Sequence, residues 1–146
     1  MANILVVDDE EQIRRMLNRV LSRNEYTCTL AADAAAARKC LDEQTFDLVL
    51  CDVLMPGESG IDLARHMASE YGDTAVIILT GVDDPKTAEA AIEAGAYGYI
   101  IKPFNPNELI INIKNALRRQ SLEIANRAYQ QDLLRMAGEK TLALQK

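Results

Sequence analysis

Five short apolar runs, separated by segments of helical periodicity, constrain what this chain can fold into. The runs are Ile4–Val7, Thr27–Ala31, Leu48–Cys51, Ala75–Leu79 and Tyr99–Ile101. Four of them are almost continuously apolar, which is typical of strands covered on both faces of a sheet, whereas the second is more polar and suits an edge strand. Strict alternation of strand and helix predicts an α/β fold with a parallel sheet and helices on both of its faces.

Residues that start and stop helices stand between these runs. The predicted N-cap residues are Asp33, Ser59, Asp84 and Asn105, the last followed by Pro106 and Glu108. Gly72 and Gly95 are expected to end the third and fourth helices. Together with the amphipathic segment after the first strand, the sequence predicts five helices.

The last helical pattern continues beyond the point where a five-stranded domain would close. We expect a compact domain over residues 1–119 and an extended amphipathic helix or linker over residues 120–146. Its apolar positions recur until Gly138; they are Leu122, Ala125, Tyr129, Leu133 and Met136. Such a helix either pairs as a coiled coil, leading to an effector domain absent from this sequence, or is a frayed tail.

Charge and hydropathy exclude several functional classes. The net charge is -6, and the acidic excess lies in residues 1–104, which makes non-specific nucleic-acid binding unfavourable. No apolar run approaches the roughly 18 residues that a membrane span needs, and the start lacks the layout of a signal peptide. The three cysteines are widely spaced and do not form a zinc motif. We therefore expect a cytoplasmic protein that binds neither membrane nor nucleic acid directly.

Polar residues stand where four of the predicted strands end. They are Asp8-Asp9 after the first strand, Asp52 after the third, Thr80-Gly81 after the fourth and Lys102-Pro103 after the fifth. Ligands of an open parallel sheet bind outside the carboxyl ends of its strands. The sequence therefore predicts a site in which three carboxylates, a hydroxyl and an ammonium group converge.

The composition of this site predicts phosphoryl chemistry. Crowded carboxylates repel one another unless a cation compensates, and carboxylate oxygens are the ligands that Mg²⁺ prefers. A carboxylate such as that of Asp52, held beside a metal, is a competent nucleophile for phosphorus. Lys102 would then neutralise charge on the transferred group, and Thr80 would donate a hydrogen bond to it. The simpler alternative is that Asp8 and Asp9 only cap the first helix.

These residues resemble those of bacterial two-component response regulators, and the resemblance to their receiver (phosphoacceptor) domains covers residues 3–119. It implies a flavodoxin-like, doubly wound sheet in the strand order 2-1-3-4-5. It also implies a set of site residues: Asp8, Asp9, Asp52 and the backbone carbonyl of Leu54 for Mg²⁺ (or Mn²⁺), Asp52 as the phosphoacceptor, Thr80, Gly81, Lys102 and Tyr99 for phosphate binding and switching, and a cis peptide between Lys102 and Pro103.

The same resemblance implies a place in a phosphorelay. A sensor histidine kinase or phosphotransfer protein would supply the phosphoryl group, and the face formed by the fourth helix, fifth strand and fifth helix would control an output domain or partner. A homodimer is expected through that face, through the C-terminal helix, or through both. Leu54 and Val82 flank the expected phosphate, and because neither can orient a water molecule, we expect slow self-dephosphorylation.

Other readings of the site are less compatible with the residues. An aspartate-nucleophile phosphatase needs a second Asp two positions after the nucleophile, where this chain has Leu54. A flavin-binding flavodoxin-like domain needs a hydroxyl- and glycine-rich phosphate loop where Asp8-Asp9 stands. A Rossmann domain needs a Gly-x-Gly-x-x-Gly motif, and none follows the first strand. A phosphorylation-independent interaction or dimerisation scaffold remains open as an alternative.

Overall fold

The chain forms one five-stranded parallel sheet with helices on both faces, in a computed structural model that describes residues 2–81 and 84–144, with side chains as far as residue 137. The strands are β1 (Asn3–Val7), β2 (Thr27–Ala31), β3 (Leu48–Asp52), β4 (Ala75–Thr80) and β5 (Gly98–Ile101). The helices are α1 (Glu11–Arg23), α2 (Ala34–Glu43), α3 (Gly60–Glu70), α4 (Pro85–Glu93) and α5 (Pro106–Leu144). The strand order is β2-β1-β3-β4-β5. The predicted fold class and strand order are confirmed.

Two apolar layers hold the helices onto the sheet. Because successive side chains of a strand point to opposite faces, Leu5 and Val7 pack under α2, α3 and α4, whereas Ile4 and Val6 pack under α1 and α5. Every residue of β3 and β4 is buried, while β2 at the edge is partly exposed. This burial pattern is the one that the nearly continuous apolar runs predicted.

Four helices begin at the cap residues that the sequence predicts. The side chains of Asp33, Ser59, Asp84 and Asn105 accept hydrogen bonds from the backbone N–H groups of Ala36, Asp62, Lys86 and Glu108. Each bond satisfies an N–H group that has no partner inside its helix. These short-range contacts fix where the chain leaves each strand-to-helix loop.

Helix α5 extends far beyond the sheet. It continues through Gly138, where the apolar pattern stops, to Leu144. A single glycine costs a helix only about 1 kcal/mol relative to alanine and does not by itself end it. Helix α5 also contacts the rest of the domain beyond residue 119. Gln120 donates to the Asp47 carbonyl at 2.7 Å, and Arg127 pairs with Asp73.

None of the helices in the described part of the chain is both long enough and apolar enough to cross a bilayer.

Gly60 allows the first turn of α3 to lie directly against the end of β3. Its N–H donates to the Val53 carbonyl at 3.0 Å, and a Cβ atom at this position would lie 2.0 Å from the carbonyl oxygen of Asp52. No side chain can be accommodated that close to backbone atoms without a shift of one element. The close approach therefore helps to fix the position of Asp52.

We predict that Gly60→Ala destabilises the fold by about 1–3 kcal/mol, the usual cost of overpacking, because α3 must move away from β3. Urea unfolding measures the change. Gly72→Ala is the matched control, since its Cβ would lie 3.7 Å from the Ala68 carbonyl, an ordinary contact. Equal midpoints for the two variants would contradict the prediction.

Candidate functional site

The carboxyl edge of the sheet brings together three of the predicted polar residues. Asp8 follows β1, Asp52 is the last residue of β3, and Lys102 follows β5. The Lys102 Nζ atom lies 2.8 Å from Asp8 Oδ2 and 3.4 Å from Asp52 Oδ2. One ammonium group therefore bridges two carboxylates that are 44 positions apart in the sequence.

Burial shapes the electrostatics of Asp52. The residue is only 5% exposed, and Asp8 is completely buried. Burial raises the pKa of the Asp52 carboxyl, the positive charge of Lys102 opposes that shift, and the negative charge of Asp8 adds to it. A hydrogen bond from the backbone N–H of Leu54 also favours the ionised form. The net pKa is above the ordinary value, which makes the buried charge of Asp52 costly.

Lys102 balances the two carboxylates as a charged group. Its burial lowers its pKa, but the hydrogen bond and charge of Asp8 and the charge of Asp52 outweigh that effect, and the net pKa is raised. The side chain is 17% exposed, so the ammonium lies largely out of bulk water. A largely buried cation between two carboxylates is the arrangement expected where negative charge must be tolerated.

An acidic group suited to a small divalent cation lies beside this bridge. Asp8, Asp9 and Glu10 each offer a carboxylate oxygen within 4.8 Å of the others. Hard oxygen donors of this kind fit Mg²⁺ or Mn²⁺. The group contains Glu10, which was not predicted as a ligand although it directly follows Asp8-Asp9, and it does not contain Asp52.

The turn before α1 gives Asp8 a role other than helix capping. Glu10 occupies the N-cap position of α1, and its side chain makes no capping hydrogen bond. Asp8 Oδ1 instead accepts a hydrogen bond from the backbone N–H of Glu10 at 2.9 Å. The backbone carbonyl of Asp8 accepts one from the Arg14 guanidinium at 2.6 Å. The arrangement orients the Asp8 carboxylate toward the sheet edge, which does not favour the alternative that it only caps α1.

The remaining predicted residues lie on β4 and β5 and in the loops that follow the strands. Thr80 ends β4 and is buried, and its carbonyl accepts the Lys102 N–H at 2.7 Å; Gly81 follows it. Leu54 lies in the β3–α3 loop and is 67% exposed. Tyr99 in β5 is half-buried against the apolar layer beneath α4. The Lys102-Pro103 peptide bond is cis, and Val82 lies outside the described residues.

A second ion pair fastens the loop that follows Asp52. Arg38 of α2 donates through Nε to Glu58 Oε1 at 2.8 Å, and its Nη2 atom donates to Glu58 Oε2. Such two-point pairing fixes the direction of both side chains. Sequence reasoning missed this contact because the two residues are 20 positions apart, on elements that meet only in the folded chain.

The family to which this chain belongs is identified by its match to a known sequence profile. The family profile described as the response regulator receiver domain matches residues 4–114, about three quarters of the chain. The chain belongs to the response regulator receiver domain family. The predicted membership in the bacterial two-component response regulators is thereby confirmed. Receiver domains generally bind Mg²⁺ at an acidic pocket, and the group of Asp8, Asp9 and Glu10 has the composition of one.

Curated relatives are longer than this chain. PetR of Rhodobacter capsulatus is 40% identical over 117 residues, which cover 80% of the chain and 49% of PetR. AruR, a transcriptional regulatory protein of Pseudomonas aeruginosa, is 36% identical over 143 residues, covering 93% of the chain and 57% of AruR. The chain thus spans about half the length of the curated relatives it matches.

Solved receiver domains match almost end to end. A CheY-like receiver domain protein from Methanospirillum hungatei superposes with a TM-score of 0.81 at 29% identity, covering 84% of this chain and 98% of that one. The signal receiver domain of an HD domain-containing protein from Pseudomonas fluorescens gives 0.79 at 35% identity, covering 82% and 97%. Both are similar to this receiver domain in fold and in sequence.

We predict that Asp52→Asn raises the midpoint of thermal unfolding by a few degrees at pH 7. The raised pKa means that ionised Asp52 disfavours the folded state, and this cost is absent below the ordinary value of 3.8, where the carboxyl is protonated whether folded or unfolded. The gain should therefore shrink as the pH falls toward 4, which scanning calorimetry at several pH values measures.

Asp62→Asn is the control, because Asp62 is exposed on α3 and its carboxylate pairs with the exposed Arg65 at 3.1 Å. It should leave the midpoint unchanged or slightly lower. A decrease for Asp52→Asn at pH 7 would show that the charge of Asp52 stabilises the fold after all.

Proposed function

We propose that this receiver domain accepts a phosphoryl group on Asp52 from a sensor histidine kinase or phosphotransfer protein. The observation that carries the proposal is the Lys102 ammonium group held between the carboxylates of Asp8 and Asp52 at the carboxyl edge of the sheet. The stability of the fold does not explain two buried like charges at this edge, because burying them costs free energy. A site that must receive a dianionic phosphoryl group needs this balance of charges.

The transfer requires one carboxylate oxygen to act as nucleophile. An Asp52 oxygen attacks phosphorus, the phosphorus–nitrogen bond to the donor histidine breaks, and the imidazole keeps the electron pair and is protonated from solvent. The product is an acyl phosphate on Asp52. Asp8, Asp9 and Asp52, with the Leu54 carbonyl, would hold a Mg²⁺ or Mn²⁺ ion, which supplies positive charge to the phosphoryl oxygens.

The groups around Asp52 would stabilise the transferred phosphoryl group. Lys102 already lies 3.4 Å from Asp52 and can shift its contact from the carboxylate to a phosphoryl oxygen. The hydroxyl of Thr80 and the backbone N–H of Gly81, at the end of the adjacent strand, would donate hydrogen bonds to the same group. These interactions assist transfer without a separate substrate site, so we propose a phosphoacceptor rather than an enzyme.

The switch would use the strand ends that surround the site. Movement of the Thr80 hydroxyl toward the phosphoryl group leaves space beside β4 that the half-buried Tyr99 can enter. That change would alter the surface formed by α4, β5 and α5, including Lys86, Glu89, Ala90 and Glu93. We propose that this surface controls an output domain or partner and supports a homodimer.

A phosphorylation-independent scaffold is the alternative function. It would use the α4–β5–α5 surface without any change at Asp52. The charge balance around Lys102 argues against it, because a scaffold has no need for buried carboxylates at the carboxyl edge of the sheet.

Transfer from radiolabelled acetyl phosphate tests the proposal. We expect Mg²⁺-dependent labelling of the wild-type chain, lost with EDTA and reduced at least 100-fold in Asp52→Asn, which keeps the shape but not the nucleophile. Asp62→Asn is the control and should label normally. Absence of label from the wild type, or label that survives Asp52→Asn, would favour the scaffold.

We further predict that the phosphorylated form decays over minutes or longer. Leu54 is exposed beside the phosphorylation site and cannot orient water for attack on phosphorus. Leu54→Asn should accelerate loss of the label about tenfold or more, whereas Leu54→Val should leave it unchanged. Decay of the wild type within seconds in Mg²⁺ buffer would contradict this account.

A further inference from the structure

The loop between β3 and α3 is fixed at both of its ends. The N–H of Val53 donates to the Leu79 carbonyl at 3.1 Å, and the Val53 carbonyl accepts the N–H of Gly60, the first residue of α3, at 3.0 Å. Leu54, whose carbonyl is one of the groups proposed above to hold Mg²⁺ or Mn²⁺, directly follows the first of these anchors. The metal site therefore depends on how the residues between the anchors are held.

The outer part of this loop is open to solvent. Leu54 is 67% exposed, and Pro56 and Gly57 are exposed as well. Gly57 has a φ of +82°, a left-handed conformation that glycine adopts at little cost, and a Cβ atom built there would meet nothing within 4 Å. An exposed turn of this kind keeps one conformation only if contacts from other elements offset the entropy that is lost when the backbone is ordered.

Glu58 provides such a contact through Arg38 of α2. Two nitrogens of the guanidinium donate to the two carboxylate oxygens, the Nε donor at 2.8 Å, and both side chains are partly shielded from solvent. Most surface ion pairs contribute little, but a two-point contact between arginine and a carboxylate fixes direction as well as distance. The pair therefore ties the loop to α2 at a point four residues after Leu54.

Helix α2 is a firm support for this contact. Asp33 caps its first turn, and Ala37, the neighbour of Arg38, is completely buried against the sheet. The strand that leads into α2 also contacts the site, because the Ala31 carbonyl accepts the N–H of Asp8 at 3.1 Å. Helix α2 thereby connects the end of β1 with the β3–α3 loop.

We propose that Arg38 and Glu58 are positioning residues for phosphoryl transfer. Their pairing holds the β3–α3 loop in the conformation in which the Leu54 carbonyl serves as a metal ligand. The affinity for Mg²⁺ or Mn²⁺ then depends on two side chains that do not bind the ion, because donors already in place need not be ordered when it binds. This inference rests on the proposed function, since it concerns the same metal site.

The opposite charges of the pair separate geometry from electrostatics. If Arg38 and Glu58 acted only through their electric field, loss of the positive charge would strengthen cation binding and loss of the negative charge would weaken it. Positioning predicts that either loss weakens binding, because either one releases the loop from α2.

Mn²⁺ binding by the full chain, followed through the electron paramagnetic resonance signal of the free ion, tests the proposal. We expect Arg38→Met and Glu58→Gln each to weaken binding about threefold or more. Arg38→Lys, which keeps the charge but not the two-point contact, should weaken it as well. The exchanged pair, Arg38→Glu with Glu58→Arg, should return the affinity to within about twofold of the wild type, because it rebuilds the contact.

Arg65→Met is the matched control. It removes an arginine from an ion pair with Asp62 that lies on the exposed surface of α3. The change in net charge equals that of Arg38→Met, but the β3–α3 loop keeps its contact with α2. Arg65→Met should therefore bind Mn²⁺ like the wild type.

Amide hydrogen exchange in metal-free buffer tests the loop independently of any ion. We expect Arg38→Met to accelerate exchange in residues 53–59 about threefold or more, and to leave the strand β3 protected as in the wild type. Arg65→Met should leave residues 53–59 unchanged. Equal exchange of the loop in Arg38→Met and in the wild type would overturn the proposal.

The binding results distinguish this inference from the proposed function. A wild type that binds Mn²⁺, with variants of Arg38 and Glu58 that bind it equally well or shift the affinity in opposite directions, would overturn the positioning role alone. A wild type that binds no Mn²⁺ would overturn the proposed metal site and the positioning role together.

Discussion

The shared contact of Lys102 with Asp8 and Asp52 is the interaction on which the charge balance at the carboxyl edge of the sheet depends. Two carboxylates, one of them completely buried, repel each other at the edge of an apolar sheet, and a single ammonium group offsets that repulsion. Burial nevertheless keeps the pKa of Asp52 raised, and the negative charge of Asp8 adds to that effect. An acidic site that is only partly neutralised by the protein retains a preference for added positive charge, which a divalent cation can supply.

The parallel sheet places the acidic site and the attachment of α5 at opposite edges. At the carboxyl edge, β1, β3 and β5 deliver the residues that meet around Lys102. At the amino edge, the segments before β3 and β4 anchor α5 through Gln120 and Arg127. Tyr97, directly before β5, donates to Glu123 of α5, and Lys102, directly after β5, contacts Asp8 and Asp52, so this strand runs between the two edges.

Much of this arrangement could be predicted from local sequence signals. Cap residues such as Asp33 and Ser59 act within one turn, and the burial of β3 and β4 follows from their own apolar residues. In α5 the apolar pattern stops at Gly138 but the helix continues to Leu144, since a single glycine weakens a helix without stopping it. The contacts of Arg38 with Glu58 and of Gln120 with Asp47 join residues on different elements, and no local pattern announces them.

By itself, the sequence determined the alternation of strands and helices, and hence which residues stand at strand ends. That followed because periodicity and capping are properties of neighbouring residues. Only the tertiary structure decided that Lys102 reaches both Asp8 and Asp52 and that Gly60 lies against Asp52. Those contacts depend on how closely whole elements approach one another, and packing distance is set by the entire core, not by any one segment.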